Sequence, residues 1–154
     1  MRVYIDCEFN GFGGHLMTMA LVAADGKEFY VDVDSSEDYL CDFVRKHVVP
    51  VIDVPGATPE AIPYNMLPYA ISEFLGQYDL VHLIADWPDD IKYFCEALIT
   101  SPGERVDTPE LIMQIIREDG KSEVPHNALH DARAIMKVHQ EVYFSNDTGE
   151  NMNV

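Results

Sequence analysis

Two acidic residues stand near the start of the chain, in the segment MRVYIDCEFN. This segment is rich in Val, Tyr, Ile and Phe and predicts a strand over residues 1–9. Side chains alternate between the faces of a strand, so Asp6 and Glu8 share one face. Buried carboxylates repel each other, and a divalent cation such as Mg²⁺ or Mn²⁺, which prefers oxygen ligands, removes that repulsion. The alternative is an edge strand with a solvated acidic face.

A third acidic residue lies in the segment PHNALHDARAIMKVHQEVY, which predicts an amphipathic helix over about 127–143. Asp131 is the single charge in the apolar stripe of this helix. It is either directed at an internal cation or placed at the margin of the stripe, where it reaches solvent. His126 lies five residues earlier, in the loop that enters the helix, and can lean over the same site. His130 is expected on the solvated face.

A cluster of three acids opens a helix in the middle of the chain, in the segment ADWPDDIKYFCEAL. Asp is favoured at helix starts by capping and by the helix dipole, and at least one of the three serves only that purpose. Asp90 shares a stripe with Phe94 and Ala97, which makes it the first candidate for a functional acid. Asp86, at the end of the preceding strand, is the second candidate.

The elements that position these residues alternate between strands and helices. We expect a hairpin of strands 17–24 and 28–33, joined by a type I′ turn at Asp25-Gly26. The remaining expectations are a helix over 37–48 capped by Ser35 or Ser36, a loop over 53–65, a helix over 67–75, a buried strand over 80–85, a helix from Pro88 to about Leu98, a loop over 100–107, a helix over 108–118 and a loop over 119–125. This order predicts an α/β fold, a mixed sheet covered by helices.

The composition limits the classes of partner. The chain has 154 residues, which suggests one domain, and 27 Asp and Glu against 10 Lys and Arg give a net charge of −17. Such a chain is not expected to bind an anionic membrane or long nucleic acid through a basic surface. Three scattered cysteines fit a reducing compartment, no apolar run is as long as a membrane span, and the segment MRVYIDCEFN lacks the long apolar stretch that is typical of a signal peptide. We therefore expect a cytoplasmic protein.

Together the motifs supply four carboxylates and one neutral base, which suits two divalent ions and in-line phosphoryl displacement. In these motifs the chain resembles the DEDDh (DnaQ-like) family of 3′–5′ exonucleases. The D-x-E motif of that family matches Asp6-Cys7-Glu8, and its H-x-A-x-x-D motif matches His126 to Asp131. Its second motif matches Asp90 and the apolar face that follows, with Asp86 where the family usually has Asn.

Within the family, the chain most resembles the RNase AS-like exoribonucleases, which prefer 3′-adenylate tails. The shared features are the form MRxxxDxEF, an Asp-Gly hairpin with an aromatic strand (DGKEFYV), a helix ending in VRKHVVP, and HNALHDAR; they cover most of residues 1–143. The resemblance implies an RNase H-like domain over 1–144, with three antiparallel strands and then parallel strands, followed by a disordered tail over 145–154. It also suggests a homodimer.

The resemblance implies a site with two Mg²⁺ or Mn²⁺ ions. The implied metal ligands are Asp6, Glu8, Asp90 and Asp131, with His126 as the general base. The implied reaction releases nucleoside 5′-monophosphates from a short single-stranded 3′ end of RNA or DNA. The alternatives are a DNA-directed proofreading exonuclease, an endonuclease on the same fold, and a non-catalytic acidic protein that mimics nucleic acid. With so few basic residues, we expect weakly salt-dependent binding and low processivity.

Overall fold

The computed structural model describes residues 1–36 and 40–144. It contains a six-stranded mixed sheet in the order β4-β3-β2-β1-β5-β8, flanked by four helices. The strands are β1 Arg2–Phe9, β2 Leu16–Ala23, β3 Glu28–Asp32, β4 Glu60–Ala61, β5 Leu80–Ala85 and β8 Glu110–Ile115, with a separate small hairpin of β6 Ile99–Ser101 and β7 Glu104–Arg105. The helices are α1 Asp42–His47, α2 Leu67–Leu75, α3 Pro88–Ala97 and α4 Ala128–Phe144.

The pairing directions confirm the expected α/β class and its RNase H-like arrangement. Strands β1, β2 and β3 form an antiparallel meander, and β5 and β8 then extend the sheet in parallel with β1. Strand β1 therefore lies in the interior of the sheet, between β2 and β5. A carboxylate on β1 is not on an edge strand, which removes the solvated-edge alternative for Asp6 and Glu8.

The two faces of β1 meet different helices. Val3, Ile5 and Cys7 pack in the core that α2 and α3 cover, while Tyr4 packs with Ile135 of α4. This alternation is the one that the sequence predicts, and it directs Asp6 and Glu8 to the face that α4 covers. The predicted helix over 67–75, strand over 80–85 and helix from Pro88 are also confirmed.

The predicted helix over 108–118 is wrong, because residues 110–115 form strand β8. The backbone of Glu110–Ile115 pairs in parallel with Leu80–Ala85, and this tertiary pairing outweighs the local helix-start signal of Thr108-Pro109. Pro109 precedes the strand, where its missing N–H group disturbs no pairing. The strand is at the edge of the sheet, and Ile112 and Ile115 are exposed there.

The predicted type I′ turn at Asp25-Gly26 is also wrong. Gly26 has a positive φ of 92°, but Asp25 is not among the residues with positive φ. The Gly26 N–H donates to the Ala23 carbonyl at 2.9 Å, and the Ala23 N–H donates to the Lys27 carbonyl at 2.8 Å. The connection is a three-residue loop in which a turn is followed by a left-handed glycine.

Other boundaries differ from the predictions. Helix α1 begins at Asp42 rather than residue 37, and its N-cap is Cys41, not Ser35 or Ser36. The N–H of Cys41 donates to Asn10 Oδ1 at 2.7 Å. The predicted loops over 53–65 and 100–107 contain short strands. Residues 37–39 of the predicted first helix, and the predicted disordered tail over 145–154, lie outside the described residues.

Helix α4 gives a matched pair of substitutions that tests its packing. Ile135 is buried, at 1% exposure, whereas Val142 of the same predicted stripe is 43% exposed. Ile135→Ala should lower the free energy of unfolding by about 2–5 kcal/mol, because it leaves a cavity. Val142→Ala should change it by less than about 0.5 kcal/mol. Urea unfolding monitored by circular dichroism measures both, and equal effects would contradict the observed packing of α4.

Candidate metal centre

Five acidic side chains meet at one end of the sheet. Asp6 and Glu8 lie near the carboxyl end of β1, and Asp86 directly follows β5. Because β1 and β5 are parallel, their carboxyl ends lie at the same edge. Helices α3 and α4 begin there too, with Asp90 and Asp131 in their first turns. All four predicted metal ligands are therefore brought together, and the second candidate Asp86 joins them.

The carboxylates form two groups that share one member. One oxygen each from Asp6, Glu8 and Asp131 lie within 4.8 Å of one another, and so do oxygens from Asp6, Asp86 and Asp90. Each group offers three carboxylate oxygens, which are the kind of ligand that a hard divalent cation prefers. Asp6 belongs to both groups, so it could serve as a ligand in each of them. Asp86 and Asp90 belong to the same group, so Asp86 stands beside Asp90 and not in its place.

The hydrogen bonds of the site leave one carboxylate oxygen available on each of Asp6, Asp90 and Asp131. Asp90 Oδ1 accepts a bond from the Cys7 N–H at 3.0 Å, and Asp131 Oδ2 accepts one from the His126 N–H at 2.9 Å. The second oxygens, Asp90 Oδ2 and Asp131 Oδ1, are buried and have no hydrogen-bond partner in the described residues. Asp6 Oδ2 is also buried and has no partner there. Unmatched buried oxygens are costly, and bound cations would satisfy them, so these residues fit Mg²⁺ or Mn²⁺.

Burial and mutual repulsion raise the pKa values of these acids. Burial, followed by the neighbouring carboxylates, raises the pKa of Glu8 to about 9 and that of Asp6 well above its ordinary value. Burial also raises the pKa of Asp90 to about 8, with Asp86 the next cause. Within residues 1–36 and 40–144, none of the five acids forms an ion pair with Lys or Arg. The negative charge of the site is thus left for protons or a cation to balance.

His126 lies in the loop before α4, as predicted, and faces the same cleft. Its backbone has a positive φ of 69°, a conformation that non-glycine residues adopt rarely and at some cost. The bond from its N–H to Asp131 holds this conformation. The edge of its ring meets the ring of Phe43, with 5.3 Å between centroids. The histidine is therefore positioned by α1 on one side and by Asp131 on the other.

Asn127 is a positioning residue that the sequence analysis missed. It is fully buried, and its Oδ1 accepts a bond from the His130 N–H at 3.0 Å, which caps α4. Its Nδ2 donates to the carbonyls of Val51 and Ile52 at 2.8 and 3.0 Å. Asn127 thus fixes the start of the helix that carries Asp131. The preference for Asn at helix N-caps is the signal that could have found it.

Two cavities open on either side of the acids. The first, which we call the aromatic cavity, has a volume of about 440 Å³. Its lining includes the side chains Phe9, Phe12, Phe43, Trp87 and His126 beside Asp6, Glu8 and Asp90. The second, the polar cavity, has a volume of about 510 Å³ and is lined by Asp6, Asp86, Gly120, Lys121, Ser122, Pro125, His126 and Asp131. Trp87 is 59% exposed and Phe12 is fully exposed, so both can contact a ligand.

Phe9 and His130 lie close to these cavities, and the sequence makes a prediction for His130. The Phe9 ring packs on Tyr93, with 4.8 Å between centroids, on the core side of β1. The expectation that His130 is solvated is wrong, because its side chain is only 12% exposed and its Nε2 is buried without a partner in the described residues. The loop before α4 covers this part of the helix face, which the helical period alone cannot reveal.

Comparison with protein-family models gives no match, and no curated protein is significantly similar to the chain. The geometry of the site and the motifs in the sequence are therefore the features that indicate a function.

The raised pKa values of Glu8 and Asp90 predict how stability depends on pH in EDTA. The folded chain keeps protons on these acids up to about pH 8–9, whereas the unfolded chain loses them above about pH 4. The folded state therefore binds more protons between these limits, and stability falls as pH rises. We expect the melting temperature in EDTA to drop by roughly 5–10 °C from pH 5 to pH 9.

Asp6→Asn should flatten this pH dependence and raise the melting temperature at pH 9, because it removes the charge that both groups share. Saturating Mn²⁺ should remove the fall in melting temperature with rising pH in the parent chain. Asp79→Asn, at an exposed position before the opposite end of β5, is the matched control and should change neither. Melting temperatures that are independent of pH in EDTA would contradict the crowding of carboxylates.

The two carboxylate groups predict the number of bound ions. Asp86→Asn should reduce Mn²⁺ binding from two ions per chain to one, because it removes a ligand from the group that contains Asp6 and Asp90. Asp89→Asn makes the same charge change at the start of α3, where the Asp89 carboxylate accepts a bond from Trp87 Nε1, and should keep two. Electron paramagnetic resonance of free Mn²⁺ gives the count. Two tightly bound ions in Asp86→Asn would contradict the assignment of Asp86.

Proposed function

We propose that this protein is a metal-dependent 3′–5′ exonuclease that releases nucleoside 5′-monophosphates, with RNA as the expected substrate. The observation that carries the proposal is the shared position of Asp6 in two groups of carboxylates beside His126. Two divalent ions on a common carboxylate suit in-line displacement at a phosphodiester. The D-x-E and H-x-A-x-x-D motifs of the DEDDh exonucleases fall on these same residues, which supports the proposal.

The cavities support action at a strand end. The aromatic cavity has room for one nucleotide, and Trp87 and Phe12 offer flat, exposed side chains on which a base can stack. A terminal nucleotide in this cavity would place its 5′ phosphate beside Asp6, which also lines the polar cavity. The rest of the strand would then leave through the polar cavity.

The residues of the chain divide the chemical work. Mg²⁺ or Mn²⁺ held by Asp6, Glu8, Asp86, Asp90 and Asp131 would activate water and stabilise the departing 3′ oxygen. His126, whose side chain lines both cavities, accepts the proton of the attacking water. Asp131 and Phe43 hold His126 in place, and Trp87 orients the base. These roles explain why a histidine must stand in a strained loop position.

The burial of the acids argues against a non-catalytic mimic of nucleic acid. A mimic needs charges on its surface, whereas Asp90 is only 1% exposed and its free oxygen is buried. The choice between RNA and DNA depends on a contact to the 2′-hydroxyl group, and a DNA-directed exonuclease is the alternative that uses the same site.

A cytoplasmic location and a homodimer belong to the proposal as well. The three cysteines are free in the structure, which fits a reducing compartment. No helix of the described residues is long and apolar enough to cross a bilayer.

Digestion of end-labelled oligonucleotides tests the proposed activity. With Mn²⁺ or Mg²⁺ we expect stepwise shortening from the 3′ end of RNA, release of nucleoside 5′-monophosphates, and protection by a blocked 3′ terminus. His126→Ala should reduce the rate by about 10²–10⁴-fold, and Asp6→Asn or Asp131→Asn should abolish it. His82→Ala, on β5, should retain activity. Continued cutting of a 3′-blocked strand would show an endonuclease, and activity in both Asp variants would mean that the site is misassigned.

A further inference from the structure

A small cavity with basic walls lies beside the polar cavity, between α4 and the loop that precedes it. It has a volume of about 140 Å³ and is lined by Lys121, Glu123, His130, Arg133, Ala134 and Lys137. We call it the basic cavity. Its volume is below the roughly 300–1,000 Å³ of pockets that enclose a drug-sized ligand, so it suits a small group rather than a nucleoside.

The basic cavity concentrates positive charge in a strongly acidic chain. Three of the ten Lys and Arg residues line it, although the net charge of the chain is −17. Arg133 is held by Glu28, with both Nε···Oε1 and Nη2···Oε2 at 2.7 Å, so its charge is largely balanced. Lys121 and Lys137 form no ion pair within residues 1–36 and 40–144. Two ammonium groups therefore remain for an anion.

One acid and one histidine also line the basic cavity. Glu123 lies 3.9 Å from His130 Nδ1, and its side chain is 89% exposed, so it can turn into solvent. His130 Nε2 is buried and has no partner in the described part of the chain. The basic cavity thus combines two ammonium groups that form no ion pair in the described residues with a histidine side chain.

Lys121 connects this cavity to the candidate metal centre. It lines the basic cavity and also the polar cavity, which contains Asp6, Asp86 and Asp131. The order along the surface is therefore the aromatic cavity, the carboxylates, the polar cavity and the basic cavity. A single strand with its terminal base in the aromatic cavity would pass over Lys121 before it reaches Lys137.

We propose that the basic cavity binds a backbone phosphate of the substrate strand, on the 5′ side of the bond that is cut. This inference rests on the proposed function, since it uses the direction of the strand through the metal centre. Lys121 and Lys137 bind the phosphate. The cavity supplies the local electrostatic attachment that the rest of the acidic surface lacks.

Binding measurements that do not require hydrolysis test the inference. The full chain is titrated with 5′-fluorescein RNA oligonucleotides in Ca²⁺, which also takes oxygen ligands, and anisotropy is recorded over a range of KCl concentrations. Lys121→Gln and Lys137→Gln should each weaken binding of an octanucleotide about three- to tenfold, whatever the nucleotide sequence of the octanucleotide. Each should also reduce the slope of log K against log[KCl] by about 0.7.

The control and the length dependence make the test specific. Lys27→Gln removes a charge next to β3, in the hairpin loop before that strand, and should alter neither affinity nor slope. A dinucleotide has too few phosphates to reach Lys137, so Lys137→Gln should leave its affinity unchanged. The inference is wrong if the parent chain, both cavity variants and the Lys27 control bind the octanucleotide equally well. It is also wrong if the parent chain shows no measurable binding.

Inorganic phosphate separates a strand site from a site for free phosphate. Binding of inorganic phosphate is measured from nuclear magnetic resonance shifts at residues 121–137. If the lysine variants weaken this binding but leave octanucleotide binding intact, the cavity holds free phosphate and the inference is wrong. Hydrolysis in Mn²⁺ is measured separately. A chain that binds octanucleotides through both lysines but hydrolyses none would overturn the proposed function and keep the basic cavity as a binding site.

Discussion

The repulsion among buried carboxylates around Asp6 is the constraint on which the rest of the site depends. Five acids from two strand ends and two helix starts converge, and none of them forms an ion pair with Lys or Arg in the described residues. Such an arrangement opposes folding unless protons or cations balance it. The hydrophobic core must therefore hold the elements in place against this repulsion. Burying β1 between two strands and two layers of helices achieves that, because the strand cannot move outward to relieve the charge.

The sequence predicts the site better than it predicts the boundaries of the elements. The alternating side chains of β1 and the apolar stripe of α3 place Asp6, Glu8 and Asp90 correctly. Burial in a strand or a helix follows the regular repeat of its side chains. Asp86 is only a second candidate in the sequence, because a residue that follows a strand belongs to no regular repeat of buried and exposed positions. Strand β8 was missed for a different reason. Its conformation comes from pairing with β5, and a local signal at Pro109 pointed to a helix.

The distribution of charge divides the cleft into regions of different character. Aromatic side chains line one side of the acids, and Lys121 begins a basic region on the other. His130 illustrates why this was not visible in the sequence. Its helical position indicated solvent, yet the loop over 117–127 covers it and encloses the basic cavity. A long loop has no regular repeat of buried and exposed residues, so its contacts cannot be predicted from the sequence pattern and are known only from coordinates.

The hydrogen bond from the His126 amide to Asp131 joins the two roles that we propose for these residues through one backbone contact. The carboxylate that is available to a cation through Oδ1 holds the histidine loop through Oδ2. The two side chains are therefore thermodynamically coupled rather than independent. In a double-mutant cycle the losses from removing each would be far from additive, because removal of Asp131 also releases the loop that carries the base. The centre would then lose function as a unit, and single substitutions would overstate the separate contribution of each residue.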